Sequence, residues 1–450
     1  MNKFNLFLEE KVMPIAGRIA AQRHLQALRD GIILTMPLII IGSLFLILAN
    51  LPIPGYAEFM AGIFGDKWAE KLSYPVGVSF DIMALIATFG IAYRLAEKYG
   101  IDALSSGAIA VAAFLLATPY QIPFTPEGST QEILVTGGIP ISLMGSKGLF
   151  VGMLIAMFST EIYRWIVQKD IVVKMPDGVP PAVSKSFIAL IPGFAVIGLI
   201  WLARLLIEIT PFESLHNVIN VLLGTPLSIL GGSLGGSLVA ETVQQLLWSC
   251  GLHGANIVGG VMSPIWYGAM DENRLAFQAG EVLPNIFTIQ FFEIWINIGG
   301  SGATLALVVT MVLRARSKQM KQLGKLAIGP AIFNINEPVI FGMPIVMNPM
   351  LLLPFIVSPI LMMVATYIGM STGLVAKPAG IAVPWTMPPL FSGYLATGGK
   401  ISGAVMQLIN LFISFAVYYP FFRMWDKQKL KEESELETVP PANENQQIGV

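Results

Sequence analysis

The chain has 450 residues, of which 54% are hydrophobic and 12% are charged, and its mean hydropathy of +0.69 lies outside the usual range of soluble globular proteins. A formal net charge of −1 provides no basic field for nucleic acid, and a single cysteine excludes an intramolecular disulfide and a multi-cysteine metal site. The composition therefore predicts an all-α polytopic membrane protein, because long apolar runs satisfy their backbone in lipid as helices.

The first 30 residues predict an amphipathic cytoplasmic helix and no cleaved leader. Charge is spread through MNKFNLFLEEKVMPIAGRIAAQRHLQALRD, which has no continuous apolar stretch before a small-residue cleavage site. Val12, Ile15 and Ile19 lie among basic residues, as in helices that lie along a membrane interface. We therefore predict that residues 1–30 lie on the cytoplasmic surface.

About ten membrane spans are predicted after this segment, since roughly 20 apolar residues cross a hydrocarbon core of about 30 Å as a helix. Clusters of Lys and Arg precede the first span, follow the last and occupy residues 314–325. The positive-inside rule makes all three cytoplasmic, so the number of crossings is even. The predicted spans are 31–51, 78–96, 103–119, 147–167, 186–208, 218–234, 236–264, 286–313, two segments within 326–368 broken near Pro349, and 401–422.

Polar segments divide the chain into regions. QKDIVVKMPDGVPPAVSKS at 168–186 follows a first group of spans, and TPEGSTQE at 125–132 predicts an exposed loop. We expect a transmembrane and dimerisation region at 31–215 and a substrate-translocation region at 216–425. Residues 426–450 are polar and acidic, which predicts a disordered cytoplasmic tail.

The second region is punctuated by Gly and Pro at membrane depth. KPAGIAVPWTMPPLFSGYLATGG at 377–399 has too many prolines for a regular spanning helix. Irregular backbone at that depth is tolerated only where it is buried in protein or lines a wet cavity. We therefore predict re-entrant segments, which commonly mark a substrate site.

Glu337 is the clearest candidate for a functional residue. It lies in FNINEPVIFG, and no other residue between Lys325 and Lys377 carries a formal charge. A charge at the bilayer centre costs about 2.5–3.5 kcal/mol, so such a carboxylate either serves function or caps and pairs within the protein. Asn334 and Asn336 flank it with the amide groups needed to bind vicinal hydroxyls.

His253 is the second candidate, in the sequence SCGLHGAN. A lone intramembrane histidine is either a hydrogen-bonded core residue or a functional group, and the surrounding glycines favour function because they permit close approach of a ligand. An imidazole near a carboxylate can assist a hydroxyl nucleophile at neutral pH. Cys250 fits better as a small buried apolar residue than as a nucleophile.

Four further residues have two interpretations. Trp248 and Trp385 can stack on a sugar ring or belong to an interfacial aromatic belt. Arg94 and Lys147, in AYRLAEK and MGSKGLF, can contact a substrate or extend to the lipid headgroups. The sequence contains no GxxxxGK[ST] loop for ATP, so energy for transport comes from an ion gradient or a partner.

Several stretches resemble enzyme IIC of the phosphoenolpyruvate-dependent sugar phosphotransferase system, in its lactose/cellobiose/chitobiose branch. They are GLHGAN, FNINEPVIFG, RHLQALRDGIILTMPLIIIGS and AVPWTMPP, and the similarity extends to about Arg423. The resemblance implies a homodimer in the bacterial cell membrane, with about ten spans per subunit, two re-entrant hairpins and cytoplasmic termini.

The resemblance also assigns roles to residues. Glu337 would contact the C6 hydroxyl of a β-linked disaccharide as general base or as an orienting acceptor, with His253 beside it. The other predicted sugar-binding residues are Asn256, Asn334, Asn336, Trp248, Trp385, Arg94 and Lys147.

The implied phosphoryl donor is a phosphocysteine of enzyme IIB, itself supplied by IIA, HPr and enzyme I. The tail after Arg423 is too short for a IIB domain, so we expect IIB to be a separate polypeptide, and we expect no cofactor. The alternatives are an ion-coupled secondary transporter that delivers unmodified sugar, and a sensor or scaffold descended from a permease.

Overall fold

The computed structural model describes residues 21–51, 55–126, 133–176, 178–343 and 348–438, together with residues 10, 14, 18 and 345. Most of these residues are helical, and a short antiparallel hairpin pairs β1 with β2. The elements are α1 Arg23–Ile33, α2 Met36–Ala49, α3 Tyr56–Phe64, α4 Trp68–Phe80, α5 Met83–Tyr99, α6 Ala103–Ala117, β1 Gln121–Phe124, β2 Ile133–Thr136, α7 Leu149–Gln168, α8 Pro181–Ile188, α9 Leu190–Glu208, α10 Leu215–Ile219, α11 Thr225–Gly231, α12 Leu234–Ser249, α13 Gly254–Ala279, α14 Leu305–Arg314, α15 Lys318–Ile332, α16 Glu337–Gly342, α17 Pro349–Ser371, α18 Phe391–Ala396 and α19 Ile401–Thr438.

Six helical segments of the described chain are long and apolar enough to cross a membrane. A seventh is added if Leu215–Gly231 and Leu234–Ser249, which meet at 81°, form one broken span. The predicted total of about ten continuous spans is therefore not confirmed, although the helical membrane architecture is. The six segments are Arg23–Ala49, Trp68–Tyr99, Ser146–Gln168, Pro181–Glu208, Met350–Ser371 and Ile401–Glu435.

The first span begins earlier than the predicted boundary at residue 31. Gln22 starts α1 by accepting a hydrogen bond from the backbone N–H of Leu25 at 2.8 Å. Charged residues of α1 are paired within the protein, as in the 2.9 Å contact between His24 Nε2 and Glu161 Oε1. Except for residues 10, 14 and 18, the predicted segment before residue 21 lies outside the described residues.

Two predicted spans of the second region are broken, and the run 326–368 contains the break that was predicted there. The run 236–264 divides at Cys250–His253, and the run 286–313 contains a wide helical turn at Phe291–Ile296 followed by non-helical backbone up to α14. The run 326–368 divides after Ile332, before Pro349. Residues 376–390 are non-helical, as the prolines predicted. These breaks meet inside the protein, where polar side chains replace water.

Polar side chains along one face of α19 satisfy the broken backbone at 294–303. Gln407 Nε2 and Asn410 Nδ2 donate to the carbonyls of Ile294 and Trp295, both at 2.8 Å. Further along the same face, Ser414 Oγ and Tyr418 Oη donate to the carbonyls of Ala303 and Gly302, both at 2.7 Å. Spacings of three and four residues keep these groups on one side of the helix, so α19 holds the irregular segment in place.

The predicted disorder from Asp426 onward is wrong for residues 426–438, which continue α19. The carboxylate of Asp426 accepts from the backbone N–H groups of Arg316 and Ser317, at 2.9–3.1 Å, and that of Glu433 accepts from Lys318 and Gln319. Acidic groups are stabilised at a helix N-terminus, here that of α15. Residues 439–450 and 127–132 of the predicted loop lie outside the described residues.

Close contact between α1 and α5 anchors the wall of the central cavity. A Cβ at Gly31 would lie 2.3 Å from the backbone nitrogen of Ile91, and one at Gly90 would lie 2.8 Å from the carbonyl oxygen of Gly31. Both distances are shorter than any van der Waals contact, so only glycine permits this approach of the two backbones.

We predict that Gly31→Ala separates α1 from α5 and lowers the free energy of unfolding by about 1–3 kcal/mol, the usual cost of overpacking. Thermal unfolding of the detergent-solubilised protein measures the change. Gly198→Ala on α9 is the matched control, because no atom lies within 4 Å of the added Cβ. Removing a helical glycine there stabilises by about 0.5–1 kcal/mol, and equal effects of the two substitutions would contradict the packing argument.

Candidate functional site

The broken segments surround a cavity of about 420 Å³. Its walls come from α1, α2, α12 and α13, from the irregular segment after Phe292, from the loop before α16, and from Trp385. This volume lies in the range of about 300–1,000 Å³ that is typical of small-molecule sites. The polar residues among those that line it are Arg29, Gln244, His253, Asn256, Ser263, Glu293, Asn297, Ser301, Asn334, Asn336 and Glu337.

Glu337 is the first residue of α16, and its side chain is exposed where it lines the cavity. Pro338 follows, a residue that suits the first turn of a helix because it needs no backbone donor there. Within the described part of the chain, the Glu337 carboxylate makes no hydrogen bond or ion pair. Its oxygens are thus available as acceptors for ligand hydroxyls.

Asn334 and Asn336 join the loop before α16 to two other broken segments. Asn334 Oδ1 accepts from the N–H of Gly299 at 2.6 Å, and its Nδ2 donates to the carbonyl of Trp385 at 2.5 Å. Asn336 Nδ2 donates to the carbonyl of Ser301 at 2.6 Å. One N–H of each amide is therefore bonded to a main-chain carbonyl, and these side chains shape the cavity as well as line it.

His253 forms the N-terminal cap of α13. Its Nδ1 accepts from the N–H of Asn256 at 3.3 Å, and its ring lies 4.4 Å from that of Trp248. Because Nδ1 is an acceptor, the neutral ring carries its proton on Nε2. His253 and Glu337 both line the cavity, so the two sequence motifs meet there.

Glycines explain why the chain can break before α13. Gly251 has φ of 77°, and a Cβ at Gly254 would lie 2.0 Å from the carbonyl oxygen of Gln244. Any other residue at 254 would push α13 away from α12. The glycines around His253 thus permit close backbone packing, in addition to any approach of a ligand.

Buried polar atoms in the cavity wall lack partners. Gln244 Nε2, Trp248 Nε1, Trp266 Nε1 and Asn297 Oδ1 are inaccessible to solvent and make no hydrogen bond in the structure, and all four residues line the cavity. A buried polar group without a partner costs about 1–3 kcal/mol. The residues of this wall therefore contain three donors and one acceptor without partners, a departure from the usual pairing of buried polar groups.

Glu293 is a lining residue that the sequence analysis missed. It lies in the wide turn Phe291–Ile296, and its Oε2 accepts from Gln290 Nε2 at 3.2 Å. No other charge occurs between Glu281 and Arg314. Glu337 was selected because it is a lone charge in an apolar stretch, and the same criterion applied to residues 282–313 selects Glu293.

Seven of the nine predicted site residues line the cavity, and Arg94 and Lys147 do not. Arg94 is half-exposed on α5 and pairs with Glu97 at 2.9 Å. Lys147 lies exposed in the turn before α7. The lining residues are Glu337, His253, Asn256, Asn334, Asn336, Trp248 and Trp385.

Comparisons with known proteins identify the family. The family described as "Phosphotransferase system, EIIC" matches residues 29–359. The chain is 80% identical over 452 residues to the "Lichenan permease IIC component" of Bacillus subtilis (strain 168), with 100% of both chains covered. It is 65% identical over 441 residues to the "PTS system cellobiose-specific EIIC component" of Geobacillus stearothermophilus, with 98% of both covered.

A solved structure agrees over almost the whole chain. The crystal structure of the transporter ChbC, the IIC component from the N,N'-diacetylchitobiose-specific phosphotransferase system, superposes with a TM-score of 0.92 at 60% sequence identity. The match covers 95% of this chain and 99% of that one. The sequence motifs, the cavity and these matches together show that the chain belongs to the EIIC family of the phosphotransferase system, the membrane permease components of sugar uptake.

Proposed function

We propose that this permease binds a β-linked disaccharide of the cellobiose or chitobiose type in the 420 Å³ cavity and presents its C6 hydroxyl to the phosphocysteine of enzyme IIB. The observation that carries the proposal is that the open carboxylate of Glu337, the His253 ring and two tryptophan side chains line one cavity. Sugar hydroxyls both donate and accept hydrogen bonds, so one ligand can bond to the carboxylate and to the imidazole.

The roles of the two central residues follow from their atoms. Glu337 accepts the hydrogen bond of the reacting hydroxyl and aims its oxygen at the phosphorus, and it takes the proton as the new bond forms. The neutral His253 ring offers its Nε2–H as a donor to the same part of the sugar. The Trp248 and Trp385 rings supply apolar faces for the C–H faces of the two sugar rings.

Phosphorylation makes uptake irreversible because the charged product cannot recross an apolar barrier. The proposed assembly is a homodimer formed through the region 31–215, with cytoplasmic termini, so that IIB meets the cavity from the inside. Lysine and arginine residues at both ends of the chain support that orientation. Cysteine cross-linking between subunits and labelling of termini in sealed vesicles test these two features.

The experiment that tests the function identifies the product. Membrane vesicles are supplied with a panel of disaccharides, phosphoenolpyruvate, enzyme I, HPr, IIA and IIB. We expect sugar phosphate inside the vesicles, and its formation should require every component. Unmodified sugar accumulated by an ion gradient would overturn the proposal in favour of secondary transport.

We predict that Glu337→Gln and His253→Ala each reduce disaccharide phosphorylation by at least about 100-fold, the lower range for a group that handles the reacting proton. The measurement is sugar phosphate formed by membranes with saturating phospho-IIB. Glu97→Gln is the control, since Glu97 is half-exposed and pairs only locally with Arg94. Near-normal phosphorylation by either cavity variant would refute its assigned role.

A second prediction compares two adjacent glutamines, one expected to affect sugar affinity and the other expected to affect thermal stability. Gln244→Met removes an unpartnered cavity donor, so we expect sugar affinity to fall about 3–10-fold while the sugar-free protein keeps or gains stability. Gln245→Met is the matched control, because its buried amide donates to Glu241 away from the cavity. That variant should lose thermal stability and keep its sugar affinity, as judged by calorimetry and thermal unfolding.

A further inference from the structure

Arg29 is a cation in the cavity that sugar recognition does not need. It is the one lysine or arginine among the described lining residues, and it faces a space that also contains Glu293 and Glu337. A disaccharide is uncharged, so its recognition requires no cation. The phosphorylated product, by contrast, carries negative charge, so it offers the cation an anionic partner within the ligand.

The packing of α1 on α13 fixes where the backbone of Arg29 lies. A Cβ built on Gly260 would lie 3.3 Å from the carbonyl oxygen of Leu25 and 3.9 Å from the Cβ of Arg29. The glycine therefore brings Arg29 against α13, about two turns beyond His253, or roughly 10 Å along the helix. Arg29, His253 and Glu337 all line the cavity, so the three groups share one space.

In the sugar-free structure, Asp30 neutralises Arg29. Arg29 Nε lies 2.7 Å from Asp30 Oδ1, and one terminal nitrogen lies 2.5 Å from the same oxygen. Asp30 Oδ2 lies 3.8 Å from Lys98 Nζ, so the carboxylate has a second cation. A guanidinium has five N–H donors, and an incoming phosphoryl group can therefore engage Arg29 while Asp30 retains Lys98.

We propose that Arg29 binds the phosphoryl group as it moves from enzyme IIB to the sugar and holds the phosphate of the product. This inference rests on the proposed function. In the transfer, the sulfur–phosphorus bond of the phosphocysteine breaks and its electron pair leaves with the thiolate. The sugar oxygen forms the new oxygen–phosphorus bond, and the hydroxyl proton passes to Glu337.

The chemistry of the step favours arginine at this place. Phosphoryl transfer spreads negative charge over the three equatorial oxygens, and catalysis consists mainly of positioning and electrostatic stabilisation. A planar guanidinium donates two parallel hydrogen bonds to phosphate oxygens, which a lysine cannot do. Arg29 also lies about 9 Å from the first residue of the span, near the end that the positive charges place in the cytoplasm, where IIB operates.

The test compares the affinities for cellobiose and for cellobiose 6′-phosphate, measured by calorimetry on the purified full chain. For Arg29→Gln we expect cellobiose affinity to change by less than about twofold and affinity for the phosphate ester to fall about 10–100-fold. Phosphorylation by phospho-IIB should fall at least about 100-fold. Arg29→Lys should recover part of both losses, because it restores the charge without the planar pair of donors.

Arg94→Gln is the matched control, since this arginine lies outside the cavity in a local pair with Glu97. The inference is overturned if Arg29→Gln retains affinity for the phosphate ester. It is equally overturned if both affinities fall together, which would mean that Arg29 only supports the cavity wall through Asp30. Failure of the wild-type chain to form sugar phosphate would overturn the proposed function, and the two affinities would still decide whether Arg29 binds phosphate.

Discussion

The two hydrogen bonds of the Asn334 side chain hold the cavity together. Its amide joins Gly299, in the irregular segment before α14, to Trp385, in the proline-rich segment before α18. Asn334 itself has φ of 61°, a left-handed conformation that asparagine adopts more readily than most residues. One side chain thus links three breaks in the helical structure, and the open carboxylate of Glu337 follows three residues later. Without this link, the broken segments would have unpaired backbone groups at membrane depth.

The same requirement explains why α19 is polar on one face. Its Gln407, Asn410, Ser414 and Tyr418 bond to backbone atoms of the irregular segment, in the role that water plays outside a membrane. Those bonds fix the 297–304 backbone, which brings Asn297, Gly300 and Ser301 to the cavity wall. Unpartnered atoms also occur in four residues that line the cavity. The side chains of Asn334 and Asn336 combine two roles, because they bond to the backbone and line the cavity as well.

The sequence predicted the chemistry of the site better than its geometry. The cost of a buried charge identified Glu337, and glycine spacing drew attention to His253, because both signals are local. The prediction of continuous spans was wrong at 236–264 and 286–313, because apolar composition does not reveal where tertiary hydrogen bonds replace helical ones. The polar face of α19 is a pattern in the sequence, but its backbone partners lie far away along the chain. Arg94 lies outside the cavity, where Glu97, three residues later, is a local partner.

The change in ligand charge on phosphorylation bears on the side of the membrane toward which the product leaves the cavity. Before transfer, the ligand is neutral and the arginine is paired with Asp30, so the hydrogen bonds to the sugar do not depend on Arg29. After transfer, the ligand carries the negative charge of its phosphate while Glu337 holds the transferred proton, and a cation stabilises an anion in this cavity. If Arg29 is that cation, the product is held toward the start of α1, and the restored Asp30 pair favours its release. The electrostatic balance would then favour product departure on the side of IIB, whereas a neutral sugar would feel no such preference.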